Sequence, residues 1–244
     1  VFAHREGMAT GSGLERRGFM FFSSCGVLTG LVRVSAFGSP VAEKLPGVFP
    51  DFAGIGAAAA THLLERGFRK FGCLAIPREL SHRLMLAAFH QVIRKAGCRC
   101  ICHKAPRLYY GTGARWIRFQ QRLDDWIRRW PRSMGVFVAF NDVTIRYVLN
   151  ACRRLGLRVP EDAALISSTN EPMISEMPPP TLSSVEVNYE QIGYFAADLL
   201  DQLMRKSPLR QRQWFVAPSG IIARDSTDFF SVDDPVVAAA IRFI

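Results

Sequence analysis

Short apolar runs alternate with amphipathic helical stretches along most of this 244-residue chain. From Asp51 to Met204, segments with apolar residues at helical spacing follow short runs that are apolar throughout. A short run of this kind fits a strand that is buried on both faces, which is typical of parallel sheets. The alternation of such strands with helices predicts an α/β fold built on doubly wound parallel sheets.

The spacing of apolar residues and the residues at the segment ends predict the individual elements. Helices are predicted over 52–65, 81–96, 114–130, a segment after Asp142, and 189–204. Strands are predicted over 26–36, 71–76, 99–103 and 136–140, with another from Ala163, while 46–51 reads as a loop. Asp51 is placed to cap the first helix, and Gly156 is placed to end the helix after Asp142.

Polar side chains collect where two of these strands end. The strand over 136–140 ends in Asn141 and Asp142, and the strand from Ala163 ends in Thr169 and Asn170. Open α/β sheets bind small ligands just beyond the carboxyl ends of their strands. The sequence therefore predicts a small-molecule site at these residues. For Asp142, capping of the following helix carries equal weight as an interpretation.

Composition excludes some function classes and favours others. The formal charge is +10, and eleven Lys or Arg residues against two acids lie between Arg94 and Arg132. Without a groove-reading element, this charge reads better as a solvated basic face than as a DNA contact. The apolar stretch over 19–34 is short for a membrane helix, which needs about 20 apolar residues. We see no catalytic motif, so an enzyme is not expected.

The six cysteines lack the spacing of a small disulfide scaffold. Cys73 and Cys152 lie on apolar faces and are predicted to be buried thiols, as expected in a reducing, cytoplasmic setting. Strand alternation places Cys98, Cys100 and Cys102 on one face, with His103 on the other. Side chains at this spacing wrap a metal ion poorly, so the sequence predicts buried strand thiols, no metal site and no cofactor.

Two long segments carry a family resemblance. The segment Asn141–Asn188, with its strand, helix, Val-Pro-Glu-Asp turn, second strand and Pro-rich loop, resembles the effector-binding domain of LacI/GalR-type regulators. The phrase PSGIIARDSTDFF resembles the strand that closes the sensor in the xylose-regulator branch. The phrase DPVVAAAIRFI resembles the opening of the first helix of an AraC/XylS-type DNA-binding domain, with Asp234 as cap and Pro235 at the first helical position.

The resemblance implies a periplasmic-binding-protein-like fold of two subdomains. Residues 1–26 stay unassigned, and 27–224 form the sensor. Its N-terminal subdomain is expected over 27–66 and 185–206, and its C-terminal subdomain over 71–182 and 212–224. Residues 225–244 would be a linker and the start of a truncated helix-turn-helix domain. Members of the family carry two further βα units before the helix at Phe52, so the N-terminal subdomain is expected to be incomplete.

The resemblance also implies four sugar-binding positions. The first is an Arg four residues before an aromatic, here Phe89, and this chain has Met85 there. Arg83 and His82 lie nearby as substitutes, or as solvent-exposed residues of a first helical turn. The second and third are Asn141 and Asp142. The fourth is an acidic residue, replaced here by Thr169 with Asn170 beside it, so two anchors of the usual sugar geometry are lost.

The resulting hypothesis is the effector-binding part of a DNA-binding transcription regulator of the xylose-regulator type. Its expected partners are a small-molecule effector such as a pentose, DNA through a C-terminal domain outside this chain, and a second copy in a homodimer, with no membrane. Ligand closure would be coupled to DNA binding. Two alternatives stay open: a solute-binding protein of a transporter, and a truncated, degenerate regulator without activity.

Overall fold

The computed structural model describes residues 35–36, 46–76, 79–104, 113–139, 142–209 and 211–229. The chain divides into two compact units. The smaller unit comprises 1–49 and 192–214, and the larger comprises 50–191 and 215–244. Within the described ranges, no helix combines the length and apolar character needed to cross a membrane.

The larger unit is built on a six-stranded sheet with the order β4-β3-β5-β6-β7-β9. Its strands are β3 (Lys70–Ala75), β4 (Arg99–Lys104), β5 (Met134–Val138), β6 (Ala163–Ser167), β7 (Ser183–Glu186) and β9 (Gly220–Ile222). All neighbouring pairs are parallel except β7 with β9. The prediction of an α/β fold with parallel sheets is therefore confirmed. Strands β5 and β6 lie in the middle of the sheet and are buried along their whole length, so they form part of the hydrophobic core.

The helices follow the predicted spacing closely. They are α1 (Phe52–Glu65), α2 (Leu80–Lys95), α3 (Ala114–Ile127), α4 (Asp142–Arg154), the short α5 (Pro172–Ser175) and α6 (Tyr189–Met204). Asp51 caps α1 as predicted, since its carboxylate accepts a 3.0 Å hydrogen bond from the Gly54 amide. Gly156 has a φ of 72°, the left-handed conformation that ends a helix.

Apolar stripes fix the helices against the sheet. On α3, Phe119, Leu123 and Trp126 are buried, whereas Arg115, Arg118 and Arg122 are exposed, as is Arg129 just beyond the helix. On α4, Ile145, Val148 and Cys152 are buried in the same hydrophobic cluster. Helix α3 is therefore amphipathic and packs its apolar face into the core.

The smaller unit holds most of a three-stranded sheet with the order β1-β2-β8. Its strands are β1 (Ser35–Ala36), β2 (Gly47–Pro50) and β8 (Gln213–Val216). The prediction of a loop over 46–51 is wrong, because 47–50 form a buried strand whose first two residues pair with β1 in parallel. In the same unit, the Phe195 ring of α6 lies 6.1 Å from the Trp214 ring.

The unit boundaries differ from the predicted subdomains. Helix α1 groups with the larger unit, where we expected it in the N-terminal subdomain, because it packs along α2. Strand β7, which we also expected in the N-terminal subdomain, groups with the larger unit as well, because it pairs with β6 and β9. The remaining predicted boundaries stay predictions.

The expected linker at 225 also differs from the structure. A 3-10 turn over Asp225–Thr227 buries Ser226 and Thr227 completely. The Ser226 hydroxyl donates to the Leu165 carbonyl over 2.6 Å and accepts from the Ser183 amide over 2.8 Å. Residues 225–229 are therefore part of the larger unit. The predicted DNA-binding helix lies outside the described residues, as does most of the predicted strand over 26–36.

Candidate functional site

Polar groups beyond the carboxyl ends of β5 and β6 converge on Asp142, and Thr169 is the predicted site residue among them. The Asp142 side chain is 1% exposed. One carboxylate oxygen accepts from the Ser167 hydroxyl, and the other accepts from the Glu171 amide and, over 3.3 Å, from the Ser175 hydroxyl. Burial raises the pKa of Asp142, and these hydrogen bonds, together with one from Thr169, oppose that rise.

These donors give Asp142 a structural role, while capping of the helix and ligand contact both stay predictions. Its carboxylate ties β6 to the loop that follows, because Ser167 ends β6 while Glu171 and Ser175 lie beyond it. With four protein donors, Asp142 acts as a positioning residue for that loop. Asn141, its predicted companion, lies outside the described residues.

A second polar group surrounds Asn170, beyond the end of β6. The Asn170 amide nitrogen donates to the Glu186 carboxylate over 2.7 Å. The Asn170 side-chain oxygen accepts from the Arg224 guanidinium over 2.9 Å. Arg224 also donates to the Leu182 carbonyl over 2.8 Å and pairs with Glu176 at 3.4 Å. Asn170 is therefore held in one orientation by a carboxylate on one side and a guanidinium on the other.

This arrangement can recognise a polyol chemically. Glu186 supplies acceptors, Arg224 supplies a planar set of donors, and Asn170 supplies one of each. Tyr189 is partly exposed, but desolvation of its hydroxyl and the nearby carboxylates of Asp142, Glu186 and Glu171 raise its pKa to about 12. It therefore stays a neutral donor over the physiological pH range.

Sequence reasoning missed Glu186 and Arg224. Glu186 is the last residue of β7, so the rule that polar groups after parallel strands line a site would have found it. No local signal marks Arg224, which follows β9, an antiparallel strand. Its approach to Asn170 depends on pairing between segments 54 residues apart.

The loop that carries part of this site is fixed from α4. The Arg146 guanidinium donates to the Ile174 carbonyl over 2.8 Å, to Pro178 over 2.6 Å and to Pro180 over 3.1 Å. Arg153, two turns along the same helix, donates to the Pro179 carbonyl. Backbone carbonyls in a Pro-rich segment have few amide partners, so these arginines replace the missing donors.

The substitutes proposed near Met85 behave differently from each other. His82 is 7% exposed, which differs from the expected exposed position, and its Nδ1 accepts from the Ile76 amide over 3.1 Å. Burial lowers the pKa of His82 to about 4, so the ring is neutral at physiological pH. Arg83 is exposed as the alternative interpretation has it, and Met85 is buried. His82 therefore anchors the end of β3.

Thr169 is half-buried between these two polar groups. Its side chain donates to Asp142, and its amide lies 3.5 Å from the Ser167 hydroxyl. A threonine hydroxyl offers one donor where the family resemblance implies a bidentate carboxylate acceptor. The neighbouring Asn170 does hydrogen-bond with a carboxylate, that of Glu186.

The cysteines depart from the prediction of buried strand thiols. Cys152 is a buried free thiol as predicted, and burial raises its pKa to about 12. Cys73 is buried but forms a disulfide with Cys102 on the neighbouring strand. Cys102 itself is exposed. His103 lies on the opposite face as predicted, with its ring stacked on Trp126 at 5.1 Å.

Comparison with known proteins identifies similar regulators. A family model described as the periplasmic binding protein-like domain matches residues 60–227. The xylose operon regulatory protein of Escherichia coli K12 is 30% identical over 190 residues, which cover 77% of this chain and 47% of that protein. Its counterpart in Haemophilus influenzae is 28% identical over 205 residues, which cover 82% of this chain and 51% of that protein. The chain thus spans about half the length of these relatives.

Solved structures agree with these matches. The structure of the xylose-binding transcription activator xylR has a TM-score of 0.72 and 28% identity, covering 88% of this chain and 57% of that one. A LacI-family regulator from Rhizobium etli, at 21% identity and a TM-score of 0.69, shares the fold and covers 80% of this chain and 70% of that one. Because the family model covers well over half of its residues, this chain belongs to the periplasmic binding protein-like domain family.

Proposed function

We propose that this chain is the effector-binding portion of a DNA-binding transcription regulator of the xylose-regulator type, and that its effector is a sugar or a similar polyol. The observation that carries the proposal is the Glu186–Asn170–Arg224 arrangement beyond the carboxyl ends of β6 and β7. It offers acceptors and donors in the region where open α/β sheets bind small ligands. The xylose regulators that this chain resembles support the assignment to regulation.

The residues at the ligand-binding positions indicate which polyols the site would prefer. Met85 and Thr169 cannot make the charged contacts that the family resemblance implies at these positions. A carboxylate of Glu186 and the guanidinium of Arg224 would instead carry the hydroxyl recognition. We therefore propose a neutral polyol bound in a geometry that differs from that of the usual pentose site.

The other parts of the proposed function follow from the class of xylose-type regulators. DNA would be bound by a helix-turn-helix domain of the AraC type, and the regulator would act as a homodimer in the cytoplasm. Effector binding would shift the sensor between two states and so change DNA affinity. A regulator of this kind is not an enzyme, and its chain needs no cofactor.

Thermal unfolding of the full chain against a panel of pentoses, hexoses and polyols tests the proposal. A ligand present at 100 times its Kd stabilises a protein by about 2.7 kcal/mol, which shifts the unfolding midpoint by several degrees. Arg224→Lys should weaken the response at least tenfold in ligand concentration, because lysine cannot present two parallel donors. Arg128→Lys, on the exposed end of α3, serves as the control. A panel without any shift, or an equal response in both variants, contradicts the proposal.

A further inference from the structure

Four potential metal ligands converge at the outer edge of the six-stranded sheet of the larger unit. They come from three elements: Cys73 from β3, His90 from α2, and Cys100 with Cys102 from the edge strand β4. Their ligand atoms all lie within 4.8 Å of one another. None of them takes part in the polar site around Asp142 and Asn170.

The sheet register explains the convergence. Cys73 and Cys102 are directly paired across β3 and β4, and Cys100 lies two residues earlier on the same face of β4. Helix α2 covers this face, since the Phe89 ring packs at 6.3 Å against Phe71, the residue paired with Cys100. His90 follows Phe89, and its Nε2 lies 2.9 Å from the Cys102 sulfur and 3.5 Å from the Cys73 sulfur.

We propose that, with the cysteines reduced, Cys73, His90, Cys100 and Cys102 form a Cys₃His site for a thiophilic divalent cation such as Zn²⁺. Tetrahedral Zn²⁺ binds sulfur at about 2.3 Å and nitrogen at about 2.0 Å, which places its ligand atoms roughly 3.8 Å or less apart. The observed spread of 4.8 Å therefore needs only small side-chain rotations. The two cysteines of β4 cannot surround an ion by themselves, but Cys73 from β3 and His90 from α2 supply the other two ligands.

The charge and exposure of the cluster suit this assignment. Three thiolates, one neutral imidazole and Zn²⁺ carry a net charge of −1, and Arg94, one turn after His90, acts electrostatically on that ring. A neighbouring guanidinium stabilises an anionic site of this kind. Cys102 is exposed on an edge strand, which gives the cation an entry path, whereas Cys73 is fully buried.

The disulfide between Cys73 and Cys102 competes with the ion for the same sulfurs. A phosphine reductant gives two electrons to the sulfur–sulfur bond, the sulfurs take two protons from water, and the water oxygen ends on phosphorus as the phosphine oxide. Binding of Zn²⁺ then releases three protons, one from each thiol. The site is thus open to metal in the reduced protein and closed in the oxidised one.

Cobalt titration of the full chain tests the proposal directly. The chain is reduced with a phosphine under argon, freed of metal and titrated with Co²⁺, then with Zn²⁺. We expect one equivalent to produce the intense visible bands of tetrahedral Co²⁺ and a near-ultraviolet thiolate charge-transfer band, and Zn²⁺ to displace both. The oxidised chain should show neither band. Absence of the bands from the reduced chain overturns the proposal.

Variants identify the ligands and separate them from adventitious thiol binding. Cys100→Ser, Cys102→Ser and His90→Gln should each weaken Co²⁺ binding at least 100-fold, whereas Cys98→Ser and Cys152→Ser, outside the cluster, should leave it unchanged. Equal loss in the Cys98→Ser control overturns the assignment. Should a ligand variant fail to fold, alkylation of the wild-type chain replaces it. Zn²⁺ should then protect Cys100 and Cys102 from alkylation but not Cys98, and equal protection of Cys98, or no protection of Cys102, would refute the site.

Discussion

Gly56 of α1 lies against the backbone carbonyl of Met85 in α2 so closely that a β-carbon at position 56 would sit 1.9 Å from that oxygen. The two helices therefore meet backbone to backbone, and only glycine permits this approach. This contact explains why α1 groups with the larger unit.

Gly56→Ala should destabilise the chain strongly. A methyl group cannot occupy the space of a carbonyl oxygen, so α1 and α2 must separate, at a cost of about 3 kcal/mol or more. Urea unfolding followed by circular dichroism measures the change. The matched control is Gly193→Ala in α6, where a β-carbon would meet nothing within 4 Å. That variant should gain about 0.5–1 kcal/mol from helix propensity. Equal stability of the two variants would contradict the close approach.

Removal of the Asp142 carboxylate should destabilise the larger unit. Asp142→Ala leaves the buried Ser167 hydroxyl without its acceptor, which costs about 1–3 kcal/mol, and also removes the acceptor of the partly buried Glu171 amide. Asp142→Asn should also destabilise, because its amide group would place donors against donors. Asp125→Asn, which breaks an exposed pair with Arg128, should change the free energy of unfolding by less than about 0.5 kcal/mol. Chemical denaturation of the three variants measures these changes in the free energy of unfolding.

Mild acid should destabilise the chain through His82. Its pKa is about 4 in the folded chain and 6.5 in the unfolded chain, so the unfolded state binds more protons between these values. The contribution of the neutral ring is therefore fully present above pH 6.5 and is lost as the pH falls towards 4, by on the order of 3 kcal/mol. His82→Asn keeps an acceptor for the Ile76 amide without titrating. Its free energy of unfolding should fall less between pH 6.5 and pH 4 than that of the wild type, and a parallel fall would contradict this role.

Arg146→Ala should loosen the Pro-rich loop over 172–180 while the sheet persists. The variant removes the donors to the carbonyls of Ile174, Pro178 and Pro180. We expect faster hydrogen exchange and faster proteolysis confined to this loop. Arg154→Ala on the same helix removes only a partly exposed ion pair with Asp124 and should leave the loop unchanged. Faster exchange across the whole sheet would assign Arg146 a global role instead.

The sequence alone determined the long helices of this protein, the central strands of the larger sheet and the fold class. Apolar periodicity predicted α6 residue for residue, and the Asp51 cap and the Gly156 stop were both found as predicted. These features depend on interactions within a few residues, so a single local segment contains the information. The parallel sheet followed for the same reason, since helices between apolar strands impose crossover connections.

The tertiary structure decided which side chains meet. Asp142 gained donors from the next strand and its loop, Arg224 reached Asn170 across 54 residues, and the cysteines of β4 acquired Cys73 and His90 as neighbours. None of these contacts could be predicted from the periodicity of the sequence, because each depends on strand order and register. Those in turn come from the packing of the whole sheet, where burial of the central strands selects one arrangement among many with the same local pattern.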